Sequence, residues 1–168
     1  MNSKNIEAKK TTVKLVYTSM LIAISLVGSL IKIQGSIALD SMAGFFSALF
    51  LGPVYGLLTA SIGHILTAVT SGFPLTLPIH IIVTVQMGLF AYIFGVAYRK
   101  SNGIIASIIA IILNGVVSVL MLVPVTIWLK LPLNGWPFFY TMVGPLSLSS
   151  GVNVILAYAV YKIIGNKF

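Results

Sequence analysis

Cysteine is absent from the 168 residues, and only Glu7 and Asp40 carry a carboxylate side chain. The first absence removes disulfides and thiolate chemistry, although it does not fix the compartment. The second removes any acid cluster able to hold Mg²⁺. It also leaves Asp40 as the one plausible acid for a Ser/His/Asp set. No Gly-x-x-x-x-Gly-Lys-Ser/Thr run occurs, so the chain does not split ATP through a P-loop. Charge of either sign is scarce, at 7% of residues. A soluble domain carries about 25%. A water-facing surface cannot be built from so few charges, so lipid must surround most of the chain.

What is present is apolar: 58% of the residues, in long runs. Six spans are expected, at Val13–Ile33, Ile37–Leu51, Val54–Thr70, Ile79–Tyr98, Ile104–Val123 and Val143–Ile164. The chain reads as a single all-α membrane domain over 1–168, a six-helix bundle with a short basic segment at 1–12. The first run is about 20 residues, longer than the 7–15-residue core of a signal peptide, and suits a retained helix. The second is short. Its fifteen residues reach only about 22 Å as a helix, against an apolar core of about 30 Å. A longer outer segment, Pro124–Met142, carries Trp128, Trp136, Phe138, Phe139 and Tyr140. Its aromatics read either as a headgroup-level belt or as a lid over a pocket. No internal repeat is visible, which speaks against an inverted-repeat carrier.

The ten Lys and Arg residues set the orientation. No basic stripe is interleaved with aromatics, so nucleic acid is a poor partner. Lys4, Lys9, Lys10, Lys14, Arg99, Lys100, Lys162 and Lys167 fall at one set of segment ends, and only Lys32 and Lys130 at the other. Eight against two places the N-terminus in the cytoplasm, and an even number of spans returns the C-terminus there.

Polar groups inside a membrane are expensive and are therefore candidate site residues. Asp40 lies near the outer end of the second span, as an acceptor for a polar solute, a partner for Lys32 or a helix N-terminal acid. His64 lies mid-span and His80 near the outer start of the fourth span, beside Phe73. Two His, one Asp and no Cys make a poor metal site. No cofactor is expected. Gln86, Asn114 and Asn153 sit near the middles of three spans, where their amides either converge on a solute or join helices. Ser19 and Ala23, four apart on the first span and continued by Ser25 and Ser29, offer a small-residue face for close helix approach.

With these features the chain resembles the substrate-binding S component of an energy-coupling factor (ECF) vitamin transporter. The size, the six spans, the basic ends and the short second and third spans carry the likeness. Ser19-x-x-x-Ala23 stands where the family has an Ala-x-x-x-Ala docking signature. Gly35-Ser36-Ile37-Ala38-Leu39-Asp40-Ser41, Leu51-Gly52-Pro53, Gly63-His64 and the run Thr70 to His80 look like the group assigned to α-ribazole, a cobalamin precursor. The resemblance implies an outward pocket roofed by the first and third outer loops, and docking through Ser19 and Ala23. It also implies a coupling subunit and two ATPase subunits that topple the S component in the membrane. Asp40, His64, Phe73, His80, Gln86, Asn114, Trp128, Trp136 and Asn153 are then the substrate-binding candidates. The rivals are an S component for pantothenate, riboflavin or thiamin, a small membrane enzyme joining Asp40 to a histidine, and a proton-coupled carrier titrating Asp40.

Overall fold

The computed structural model describes residues 3–34 and 37–165. Gly35, Ser36 and Lys167 lie outside the described residues, as does the side chain of Lys4. The chain runs α1 (Ser3–Gly28), β1 (Lys32–Gln34), β2 (Ile37–Ala38), α2 (Met42–Phe50), α3 (Pro53–Thr70) and α4 (Leu77–Lys100). It continues as α5 (Gly103–Trp128) and α6 (Gly135–Ile164). Among the described residues the antiparallel ribbon β1–β2 is the only sheet in an otherwise helical bundle. Five of the helices, all but α2, are long and apolar enough to cross a membrane.

The sixth traverse is made by α2 together with its lead-in. Leu39 packs its carbonyl against Gly28 at the end of α1. At the other end of α2, Phe50 and Leu51 share a groove with Lys9, Lys10 and Lys14 of α1. The next residue, Gly52, sits against the Arg99 guanidinium. The segment therefore runs back along α1 from Gly28 toward the level of Lys14. Nine helical residues cover about 14 Å. The five residues of the lead-in add less than their extended length of about 16 Å, because Leu39 lies in a bend and Ser41 is already helical. Ile6 and Gly165 line the same groove, so the two described chain ends lie at one end of the bundle with most of the bases.

Small residues bring α2 against α3. A Cβ on Gly44 would lie 2.6 Å from the Ala60 Cβ, and one on Gly56 would collide with Ala48. Lipid supplies no hydrophobic drive between helices, so this close packing must hold them. Behind the contact, Phe45 meets Phe94 of α4 edge to face at 5.5 Å.

Three expectations change. The first span ends at Gly28, not Ile33, because Lys32–Gln34 leaves the helix to pair with Ile37–Ala38. The stretch Pro124–Met142 is not a long loop: α5 continues to Trp128 and α6 begins at Gly135. Pro124 lies within a helix, where neighbouring helices and local adjustment re-satisfy the backbone. Pro137 lies in the first turn of α6, where the amide it lacks would have had no intrahelical partner. Ser25 and Ser29 do not share a face with Ser19 and Ala23. Ser25 and Ser29 are buried with Thr18 and Leu21, and Ser25 fills the space beside Gly63 of α3. Ser19 and Ala23 face outward. At about 100° per residue, six positions carry Ser25 far around the helix from Ser19.

Replacing Gly44 by Val should overpack the α2–α3 contact and cost about 1–3 kcal/mol. A clear fall in Tm of the purified protein is the expected result; an unchanged Tm would show that the two helices do not depend on this approach.

Candidate functional site

The ribbon end of the bundle encloses a cavity of about 260 Å³. That is just under the low end of small-molecule pockets, about 300–1,000 Å³. Its walls come from the lead-in to α2, the loop after α3, and α3 to α6. Pro74 and Leu75 bring in the second outer connection, whereas the third, 129–134, contributes no lining residue. The first and second connections thus border the cavity, rather than the first and third. The loop at 71–76 is locally strained, with Phe73 at φ 50° and Thr76 at φ 86°. Positive φ is uncommon for such residues and concentrates where a loop is held in a working shape.

Most of the lining is apolar, including Ile79, Val83, Met87, Leu122, Phe138 and Met142. Among the described residues no Lys or Arg lines it. The polar part is small and ordered. Ser25 Oγ donates to the Asp40 carbonyl at 2.6 Å. Ser149 Oγ and Asn153 Nδ2 donate to the Ala38 carbonyl at 2.8 and 3.2 Å. Asn153 Oδ1 accepts from the Met42 amide at 2.8 Å. The backbone on both sides of Asp40 is therefore clamped to α6, which fixes where the carboxylate can go.

From that carboxylate a chain of polar atoms crosses to α3 and α4. Asp40 Oδ2 lies 3.6 Å from His64 Nδ1, an ion-pair distance. His64 Nε2 lies 3.4 Å from His80 Nδ1, and the two rings stack at 5.6 Å. Phe73 holds the far side of His80 edge-on, at 5.7 Å. His80 Nε2 is buried without a partner among the described residues, and Asp40 Oδ2 accepts no hydrogen bond. Buried polar atoms in this condition require an explanation.

The other candidates divide. Asn114 lines the cavity from a π-helical stretch of α5, Ile112–Val117. Wide turns of this kind recur at functional sites. Its amide makes no hydrogen bond to another described residue. Gln86 accepts from Ser118 Oγ at 2.8 Å and so joins α4 to α5. Asn153 is spent on the backbone clamp. Trp128 and Trp136 lie outside the lining, 78% and 56% exposed. Trp136 packs on Phe139 and Tyr140 in a surface cluster, the position of an aromatic belt. Phe138, Met142, Leu146 and Ser149 line the cavity from α6; Phe138 was noted from sequence only as one of the belt or lid aromatics, and the other three were not singled out. Their spacing of four, four and three is the helical signal that would have found them, once 135–149 is read as helix.

Residues 13–165 match the family of ECF transporter, substrate-specific components. The chain belongs to that family. No curated protein and no solved structure matches it. An S component is a transport subunit and not an enzyme. The S component is a multi-pass protein of the cell membrane that works with the subunits of an ECF module and takes a small substrate.

Asn153→Leu should unlatch the lead-in to α2 and leave the Ala38 and Met42 backbone groups short of partners. The expected cost is about 1–3 kcal/mol of stability, with solute affinity falling about tenfold or more. Native thermal stability and native binding together would refute the clamp.

Proposed function

We propose that the S component captures α-ribazole outside the cell and delivers it inward when the ECF ATPases act. The supporting observation is a small, largely apolar cavity that holds one carboxylate and no cation. A benzimidazole fits among Phe138, Met87, Met142 and the histidine stack, where flat apolar surface is available. The ribose hydroxyls suit Asp40, His80, Asn114, Ser118 and Ser149. Pantothenate suits the cavity poorly, because its carboxylate would face Asp40 without a compensating cation. Riboflavin's three fused rings would want an aromatic sandwich, and Phe138 is the only carbocyclic aromatic in the lining. The Asp40 oxygen that accepts no hydrogen bond supports a second reading, a cationic ring solute such as thiamin.

In this reading the site residues are Asp40, His64, His80 and Asn114, joined by Phe138. Phe73 seats His80, and Gln86 and Asn153 hold the frame. The outward face of α1 with Ser19, Ala23 and the exposed Met20 and Ile24 is where the coupling subunit docks. Both chain ends lie in the cytoplasm, so the cavity opens outward. The coupling subunit and two ATPases supply the driving force.

Calorimetry on the purified chain separates the solutes. Sub-micromolar α-ribazole binding with much weaker pantothenate and riboflavin binding is expected; equal or stronger binding of thiamin would transfer the assignment to it. Because the chain has no cysteine, single substitutions report sidedness cleanly. Lys130→Cys should react with a membrane-impermeant maleimide in intact cells, and Ser101→Cys only after lysis. The reverse pattern would invert the topology.

A further inference from the structure

The Asp40–His64–His80 chain has a proton order that determines what the cavity asks of its solute. One proton on each imidazole can be arranged in two ways along the 3.4 Å contact between His64 Nε2 and His80 Nδ1. If His64 Nε2 carries its proton, the bare Nδ1 lone pair faces the Asp40 carboxylate at 3.6 Å. Lone pair against anion is repulsive. If His64 Nδ1 carries it instead, that N–H points at the carboxylate, and the opposite charge favours the arrangement. His64 Nε2 is then an acceptor, and His80 must donate from Nδ1. His80 Nε2, 99% buried with its ring and without a partner, is left as a bare acceptor.

We infer that Asp40, acting through His64, holds His80 as an acceptor in the cavity, so that the solute must donate a hydrogen bond from an O–H or N–H there. This rests on the cavity being the solute site, as proposed above. Asp40 and His64 are positioning residues in this respect; His80 is the group that meets the solute. No other titratable side chain among the described residues lines the cavity: α5 brings Asn114 and Ser118, and α6 brings Ser149 and Phe138.

The chain contains only two histidines, so ¹⁵N-labelled imidazoles give an uncrowded spectrum of the full protein in nanodiscs. Without solute at pH 7.5, both rings should show the Nδ1–H tautomer, with a bare Nε2 on His80. Asp40→Asn should lose this order, and Asp40→Glu should retain it. An Nε2–H tautomer for either wild-type ring, or no change in a folded Asp40→Asn protein, would overturn the inference. Calorimetry with α-ribazole adds a second readout. At pH 7.5, His80→Phe should weaken binding about tenfold or more, and His80→Gln, whose amide oxygen still accepts, should weaken it much less. Equal losses in the two variants would contradict the acceptor role. If α-ribazole fails to bind wild type at pH 7.5 while the tautomers stand as stated, the substrate assignment falls and the proton order remains.

Discussion

In a bilayer every backbone amide and carbonyl must find its partner inside the protein. That constraint bears hardest on the non-helical lead-in between β2 and α2, and most of the site follows from how it is met. Ser25 takes the Asp40 carbonyl, Ser149 and Asn153 take the Ala38 carbonyl, and Asn153 also receives the Met42 amide. Side chains from α1 and α6 replace the ladder that a helix would have provided. The lead-in can therefore stay non-helical through Asp40, reach across the ribbon end, and present one carboxylate to a cavity walled by four other helices.

The chemistry of that cavity is economical. Binding area comes from apolar walls, and a short polar chain supplies direction. Close packing of α2 on α3 through Gly44, Ala48, Gly56 and Ala60 keeps the lead-in near His64, because a thicker contact would push α2 outward. The π-helical stretch of α5 brings Asn114 to the opposite wall. The aromatic cluster of Trp136, Phe139 and Tyr140 remains on the surface, outside the cavity lining, in the position of an aromatic belt.

Much of the bundle was legible in the sequence, because hydropathy reports directly on the bilayer. The helices near 54–70, 79–98 and 104–123 appear where expected. Pro124 and Pro137 hid the true ends of α5 and α6, since prolines read as loop in a soluble context are accepted in membrane helices. The polar residues were visible as candidates but not as roles. Asp40, His64, His80 and Asn114 meet in one cavity, whereas Gln86 and Asn153 bond to protein. Depth along a span is readable from residue number. The direction a side chain faces, and whether its hydrogen bonds are already used, depends on helix rotation and on distant partners 32 to 115 positions away. Ser25 and Ser29 illustrate the same limit, sharing a spacing with Ser19 and Ala23 but not a face.

The central assignment is that the cavity beside Asp40 is where the solute binds. An experimental structure of the chain with α-ribazole bound tests it most directly. Solute density enclosed by Asp40, His64, His80, Asn114 and Phe138, with a hydroxyl donating to His80, is the expected result. Density elsewhere, such as the groove between Lys10, Tyr17 and Phe50 at the opposite end of the bundle, would contradict it.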